Sequence, residues 1–133
     1  MIYQANAAIG CTVRGRALVA SDGFSARYDL DRISGVFSRP AHALYGRSYV
    51  GMVLILDRAK GGVATAWMLH EMAARGMMPA ALVLNTVNPI MVQGVALAGT
   101  TMMSGFGLDI TQAVPDGALV EVDAEASVLR VVG

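Results

Sequence analysis

Lys60-Gly61-Gly62 is the triplet whose residue types and spacing could do chemistry. It closes the loop Asp57-Arg58-Ala59-Lys60-Gly61-Gly62, between the apolar run Gly51 to Leu56 and a stretch of helical spacing, Val63 to Arg75. The first amides of a helix lack intrahelical partners, and the helix dipole makes that end slightly positive. Two glycines let a ligand approach the backbone, and Lys60 adds a full charge, so the arrangement suits a carboxylate or a phosphate. It is not a P-loop, because the glycine-lysine-hydroxyl spacing is absent and no Ser or Thr follows to hold magnesium. The same residues also serve as a plain strand-to-helix turn that uses glycine for its dihedrals, and on spacing alone both uses stay open.

Other chemistry-bearing residues gather nearby in the reading. Asn85, after the next buried run, could donate to a substrate oxygen, since loops at the carboxyl ends of neighbouring strands converge on ligands in open α/β sheets. Turn chemistry is the alternative use of its amide. Gly23 to Arg32 is dense in functional groups: Arg27 could grip a carboxylate in bidentate fashion, and Ser25 could transfer a proton if its surroundings activate it. A solvated loop with Asp–Arg pairing is the plainer reading of that segment. His42 and His70, the only histidines, lack ligand spacing. One cysteine, Cys11, closes no internal disulfide, and no zinc or iron–sulfur site is expected from this chain alone. No metal is therefore assigned to its side chains.

These groups need elements to hold them. Thr12 to Ala20 and Ile33 to Ser38 read as strands, with an Asp22-Gly23 turn between them. Gly51 to Leu56 and Ala80 to Leu84 are strands apolar enough to be buried on both faces. In the Val63 to Arg75 helix, Val63, Ala66, Trp67, Leu69, Met72 and Ala73 form the expected core face. His70, Glu71, Ala74 and Arg75 form the polar one, and Gly76 is the C′ residue. Asn88-Pro89 starts a second helix, with Asn at N-cap and Pro at N1, and Gly99 stops it. Thr100 to Ser104 is a further strand, Pro115-Asp116-Gly117 a turn, and Leu119 to Val122 with Val128 to Val132 a closing hairpin. The result is one mixed α/β domain over residues 1–133.

Composition bounds the function. The chain has 133 residues, 10 basic and 10 acidic, and 55% are hydrophobic, which excludes a disordered chain and argues against nucleic acid as the partner. No targeting signal opens it, and the single cysteine points to a reduced, cytoplasmic setting. Gly76 to Leu108 carries no charge, but prolines, asparagines and glycines break it into pieces too short to cross a membrane. Of nine methionines, eight concentrate from Met52 to Met103. The pairs Met77-Met78 and Met102-Met103 put neighbours on opposite strand faces, which hints at an outward, partner-facing surface.

Several phrases together resemble the small swivel domain of the aconitase X family, over about Gly15 to Val132. They are Gly15-Arg16-Ala17-Leu18-Val19, Gly46-Arg47-Ser48 before the buried strand, the strand-Lys60-Gly61-Gly62-helix unit, Gly76-Met77-Met78-Pro79-Ala80-Ala81-Leu82-Val83, and Asn88-Pro89-Ile90-Met91-Val92-Gln93-Gly94. The resemblance implies an aconitase-type swivelling β/β/α fold, with a mixed or barrel-like sheet and two main helices. It implies a small subunit that shares its active site with a large catalytic subunit, whose cysteines bind iron or an iron–sulfur cluster. It implies a hydro-lyase reaction, dehydrating a small hydroxy acid such as cis-3-hydroxy-L-proline or phosphomevalonate. Lys60, Gly61, Gly62 and Arg27 would then bind the carboxylate. Many relatives have Gly-Arg-Gly-Ser in this loop, with the serine as proton-transfer residue; here Gly62 stands in its place. Ser25-Ala26-Arg27-Tyr28-Asp29 likewise replaces a Ser-Phe-Trp-Gly-Gly-like phrase. Thr65 or Ser25 would supply a hydroxyl instead, or the large subunit performs all proton chemistry. A non-catalytic assembly or small-anion-binding module on the same fold, and a stand-alone small-molecule binder, are the competing readings.

Overall fold

A computed structural model describes all residues but Arg27, Gly61 and Gly62, and all side chains but theirs and that of Val63. In chain order the elements are β1 (Ile2–Gln4), β2 (Ala7–Ile9), β3 (Val13–Val19), β4 (Leu30–Asp31), β5 (Val36–Phe37), β6 (Val53–Arg58), α1 (Val63–Ala74), β7 (Ala81–Thr86), α2 (Pro89–Ala98), β8 (Thr101–Ser104), α3 (Ile110–Ala113), β9 (Leu119–Asp123) and β10 (Val128–Val131).

Eight strands form one sheet in the order β1-β10-β9-β3-β6-β7-β8-β2. The centre is parallel, with Leu18 beside Leu54, Leu54 beside Leu82, and Leu82 beside Met102. The flanks are antiparallel. The sheet is mixed and is not a closed barrel: among the described residues no ladder joins β1 to β2, although only Ala5 and Asn6 separate them. β4 and β5 make a separate small ribbon.

Period-two alternation sends neighbouring residues of the central strands to opposite layers. Leu54, Leu56, Leu82 and Leu84 pack with Leu69 and Met72 of α1 and Met91 and Val95 of α2. Val53, Ile55, Ala81 and Val83 pack with Ile110, Val114, Val120 and Val122. Both faces of β6 and β7 are therefore covered, which accounts for their unbroken apolar runs. The uncharged stretch from Gly76 onward folds into β7, α2 and β8, and no helix among the described residues is long and apolar enough to cross a membrane.

The helix ends follow their local chemistry. The Met91 N–H donates to Asn88 Oδ1 at 2.8 Å, Pro89 opens α2, and Gly99 closes it in the left-handed conformation. Gly76, also left-handed with φ +70°, follows α1. Four expectations are corrected. The structure has a third helix, α3, a single turn capped by Asp109. The strand expected over Ile33 to Ser38 shrinks to Val36–Phe37, because Asp31 Oδ1 accepts the Ile33 and Ser34 amides and bends the chain. Met102 and Met103 point to opposite faces but are both buried, since each face has its own covering layer.

The fourth concerns Trp67, which is 68% exposed rather than in the core. Buried Thr65, Leu69 and Met72 take the inward side of α1 instead. Gly94 of α2 lets the helices meet so closely that a β-carbon there would lie 2.8 Å from Ala66 Cα. Trp67, His70, Ile90 and Leu97 line an open groove of about 390 Å³ beside that crossing.

Candidate functional site

The loops after β3 and β6 lie side by side and are joined by backbone bonds. The Asp57 N–H donates to Asp22 O at 2.8 Å, the Phe24 N–H to Arg58 O at 2.8 Å, and the Lys60 N–H to Phe24 O at 2.7 Å. The Ala59 N–H donates to Thr86 O, which ties in the end of β7. The strand ends thus form one continuous rim. Lys60 is exposed on it, and its stem crosses Gly23. A β-carbon at Gly23 would fall 2.5 Å from Lys60 Cε and 3.0 Å from Nζ, so only glycine leaves that path open. Among the described residues no carboxylate lies within ion-pair range of the Lys60 ammonium.

Beneath Gly23 is a buried polar cluster. The Leu44 N–H donates to His42 Nδ1 at 3.0 Å, so the ring proton is on Nε2, which donates to Gly23 O at 2.8 Å. The ring stacks on Phe37 with centroids 4.5 Å apart. Asp22 Oδ2 and Asp29 Oδ2 each lie 3.8 Å from the same nitrogen. Asp29, 2% exposed, is paired with Arg39 Nε and accepts the Ser25 N–H at 3.0 Å. Burial raises the Asp22 pKa, but the Ala43 and Gly23 amides, His42 and Arg39 outweigh it and hold the carboxyl below its ordinary value. Arg39 is held above its usual value, chiefly by its hydrogen bond to Asp29. The Asp–Arg pairing expected of the Gly23 to Arg32 segment is made by Asp29 with Arg39, but that carboxylate is enclosed rather than solvated, while Tyr28 and Asp31 are exposed.

The residues singled out from the sequence fall in different places. Ser25 is 5% exposed, and its Oγ accepts the Tyr28 N–H at 3.3 Å. Thr65, 3% exposed, faces inward from the first turn of α1. Neither hydroxyl meets a histidine or carboxylate side chain among the hydrogen bonds of the described residues. The roles read for Arg27, Gly61 and Gly62 lie outside the described residues. Asn85 is not brought to Lys60. It follows Ala81 and Val83 to the α3 side of the sheet, where Nδ2 donates to Asp57 Oδ1 at 3.0 Å and Asp109 Oδ1 at 2.9 Å, and Oδ1 accepts the Ile110 N–H at 2.9 Å. Bonds from Thr111 and Asn85 hold the Asp109 carboxyl below its ordinary value. Among the described residues, no three of His, Cys, Asp and Glu gather where they could hold a metal ion. The residues that sequence reasoning missed are Gly23, His42 and the Asp29–Arg39 pair. Their only signal was a lone histidine among paired charges, with nothing periodic to place it.

The aconitase X swivel domain profile matches residues 2–131. The chain belongs to the aconitase X swivel-domain family. Within that family's sequences, it is 35% identical over 120 residues to the phosphomevalonate dehydratase small subunit of Methanothrix thermoacetophila, covering 90% of this chain and 86% of that one. It is 29% identical over 121 residues to the protein of the same name from Methanocella arvoryzae, covering 91% and 92%. The fold matches a chain in the crystal structure of Thermococcus kodakaraensis aconitase X in its holo form, with a TM-score of 0.91, 19% identity, and coverage of 100% of this chain and 99% of that one. The swivel-domain fold expected from the motifs is thus the fold observed.

Proposed function

We propose that this chain is the small subunit of an aconitase X-type dehydratase acting on phosphomevalonate, with an active site completed by a large catalytic subunit. The observation that carries the reading is the Lys60 ammonium, laid over Gly23 on the strand-end rim without an ion-pair partner among the described residues. The names of the similar small subunits favour phosphomevalonate over cis-3-hydroxy-L-proline, the example the resemblance first brought forward. Phosphomevalonate carries a carboxylate and a phosphate, and an ammonium attracts either; closure by the partner excludes water and strengthens that attraction. Dehydration removes a hydroxyl and a hydrogen from the adjacent carbon as water. In this reading Lys60 holds one anionic end while the reacting carbons face the large subunit.

Iron or an iron–sulfur cluster belongs to the large subunit in this proposal. The described side chains here do not fit such a group, and no step assigned to this chain runs through it. Ser25 and Thr65 are the hydroxyls that the sequence offers for proton transfer. Their settings, one accepting an amide and the other turned inward, favour proton transfer by the partner.

A second reading, a non-catalytic assembly module, draws on those same hydroxyls and on Gly62 standing where many relatives have serine. The deciding experiment co-expresses this chain with its large subunit and assays dehydration of phosphomevalonate. The expected result is activity only from the pair, with Lys60→Ala raising KM. Full activity from the large subunit alone refutes the proposal. Unchanged KM for Lys60→Ala in an intact complex supports the assembly module.

A further inference from the structure

We infer that His42 is a positioning residue for Lys60, acting through the backbone of Gly23. This rests on the proposal that Lys60 binds the anionic end of the substrate. The chain of contacts is short. His42 Nε2 donates to Gly23 O at 2.8 Å, and Leu44 fixes the ring from the other nitrogen. The ring is fully buried and stacked on Phe37, so it has no freedom to release that carbonyl. Gly23 in turn is the surface over which the Lys60 stem runs, and the next residue, Phe24, accepts the Lys60 N–H.

The Lys60 main chain and side chain are therefore both referenced to the Gly23-Phe24 segment, and His42 holds that segment from below. Asp22 and Asp29 flank Nε2 at 3.8 Å but bond elsewhere, to the Gly23 and Ala43 amides and to Ser25 and Arg39. An exposed lysine otherwise samples many rotamers, and each must be lost when a ligand is bound. A fixed glycine surface limits that loss before the substrate arrives.

The test uses the complex with the large subunit and phosphomevalonate as the probe. Asn at position 42 keeps an acceptor where Nδ1 stands but cannot reach Gly23 O; Gln keeps a donor where Nε2 stands. His42→Asn raises KM about tenfold, equivalent to about 1.4 kcal/mol of binding, with kcat unchanged, and His42→Gln restores KM. Gly23→Ala gives the same rise without touching the histidine, because its β-carbon meets only the far end of the Lys60 side chain. In a Lys60→Ala background, His42→Asn adds nothing, as required of two residues acting through one contact. The inference is overturned if His42→Asn raises KM equally with and without Lys60. It is also overturned if both His42 variants lower kcat and thermal stability in step while KM stays fixed. If Lys60→Ala itself leaves KM unchanged, the anion-site reading falls and takes this inference with it. If Lys60→Ala raises KM and neither His42→Asn nor Gly23→Ala does, this inference alone falls.

Discussion

Replacing Asn85 with alanine separates a structural residue from a ligand-binding one. The side chain makes three bonds, to Asp57, to Asp109 and from the Ile110 amide, and two of them end on carboxylates. A net hydrogen bond contributes about 1 kcal/mol and one to a charged group about 1.5–3, while leaving partners unsatisfied adds to the loss. Asn85 is half-buried, so water re-solvates part of what is left behind, and the discounted total is about 3 kcal/mol. For a chain of this length that lowers Tm by about 10 °C. Thermal unfolding followed by circular dichroism reads the first quantity, and steady-state kinetics of the assembled complex reads KM. The reasoning predicts a large drop in Tm with KM unaltered. A variant that unfolds at the wild-type temperature but binds substrate many-fold more weakly would refute it and return Asn85 to the substrate.

Three further outcomes follow from the geometry. Gly94→Ala places a β-carbon 2.8 Å from the Ala66 backbone and forces α1 and α2 apart, a net loss of about 1 kcal/mol or more despite alanine's better helix propensity, read from the urea midpoint. Trp67→Ser changes unfolding free energy by no more than about 0.5 kcal/mol, since the ring is exposed; a loss of several kcal/mol would put it back in the core. Asp22 and Asp109 have folded pKa values below the ordinary 3.8. Their contribution is therefore present above that value and is lost as pH falls through the folded pKa. Unfolding free energy measured on the acid side should decline below about pH 4, and Asp109→Asn should flatten that decline.

The sequence made some elements readable because their signals are local. Asn88-Pro89 and Gly99 mark both ends of α2 by their own chemistry, and Val53 to Leu56 announces burial on two faces by having no polar residue. β1 and β2 span three residues each and α3 four, too short for any period to register. Trp67 was misplaced because α1 is apolar over most of its circumference, so hydrophobicity alone did not choose its inward side. At the candidate site, the position of Lys60 on the strand-end rim was legible from the strand-glycine-helix order. Asn85 was not, because strand parity sends it with Val83 toward α3, and parity has meaning only once the layers are known. His42 is set by tertiary packing against Gly23, nineteen positions away, which no window along the chain contains.

The outermost strands of the large sheet are consecutive in the chain. β1 lies along β10 and β2 along β8, with Ala5 and Asn6 as the only link. One short ribbon therefore shields both flanks from self-association, and it does so with three rungs on each side, too few to template another molecule's strand. Detaching that ribbon would uncover the backbone of β10 and β8 at the same moment. Protection against edge-to-edge stacking is in this molecule a single cooperative property of its first nine residues.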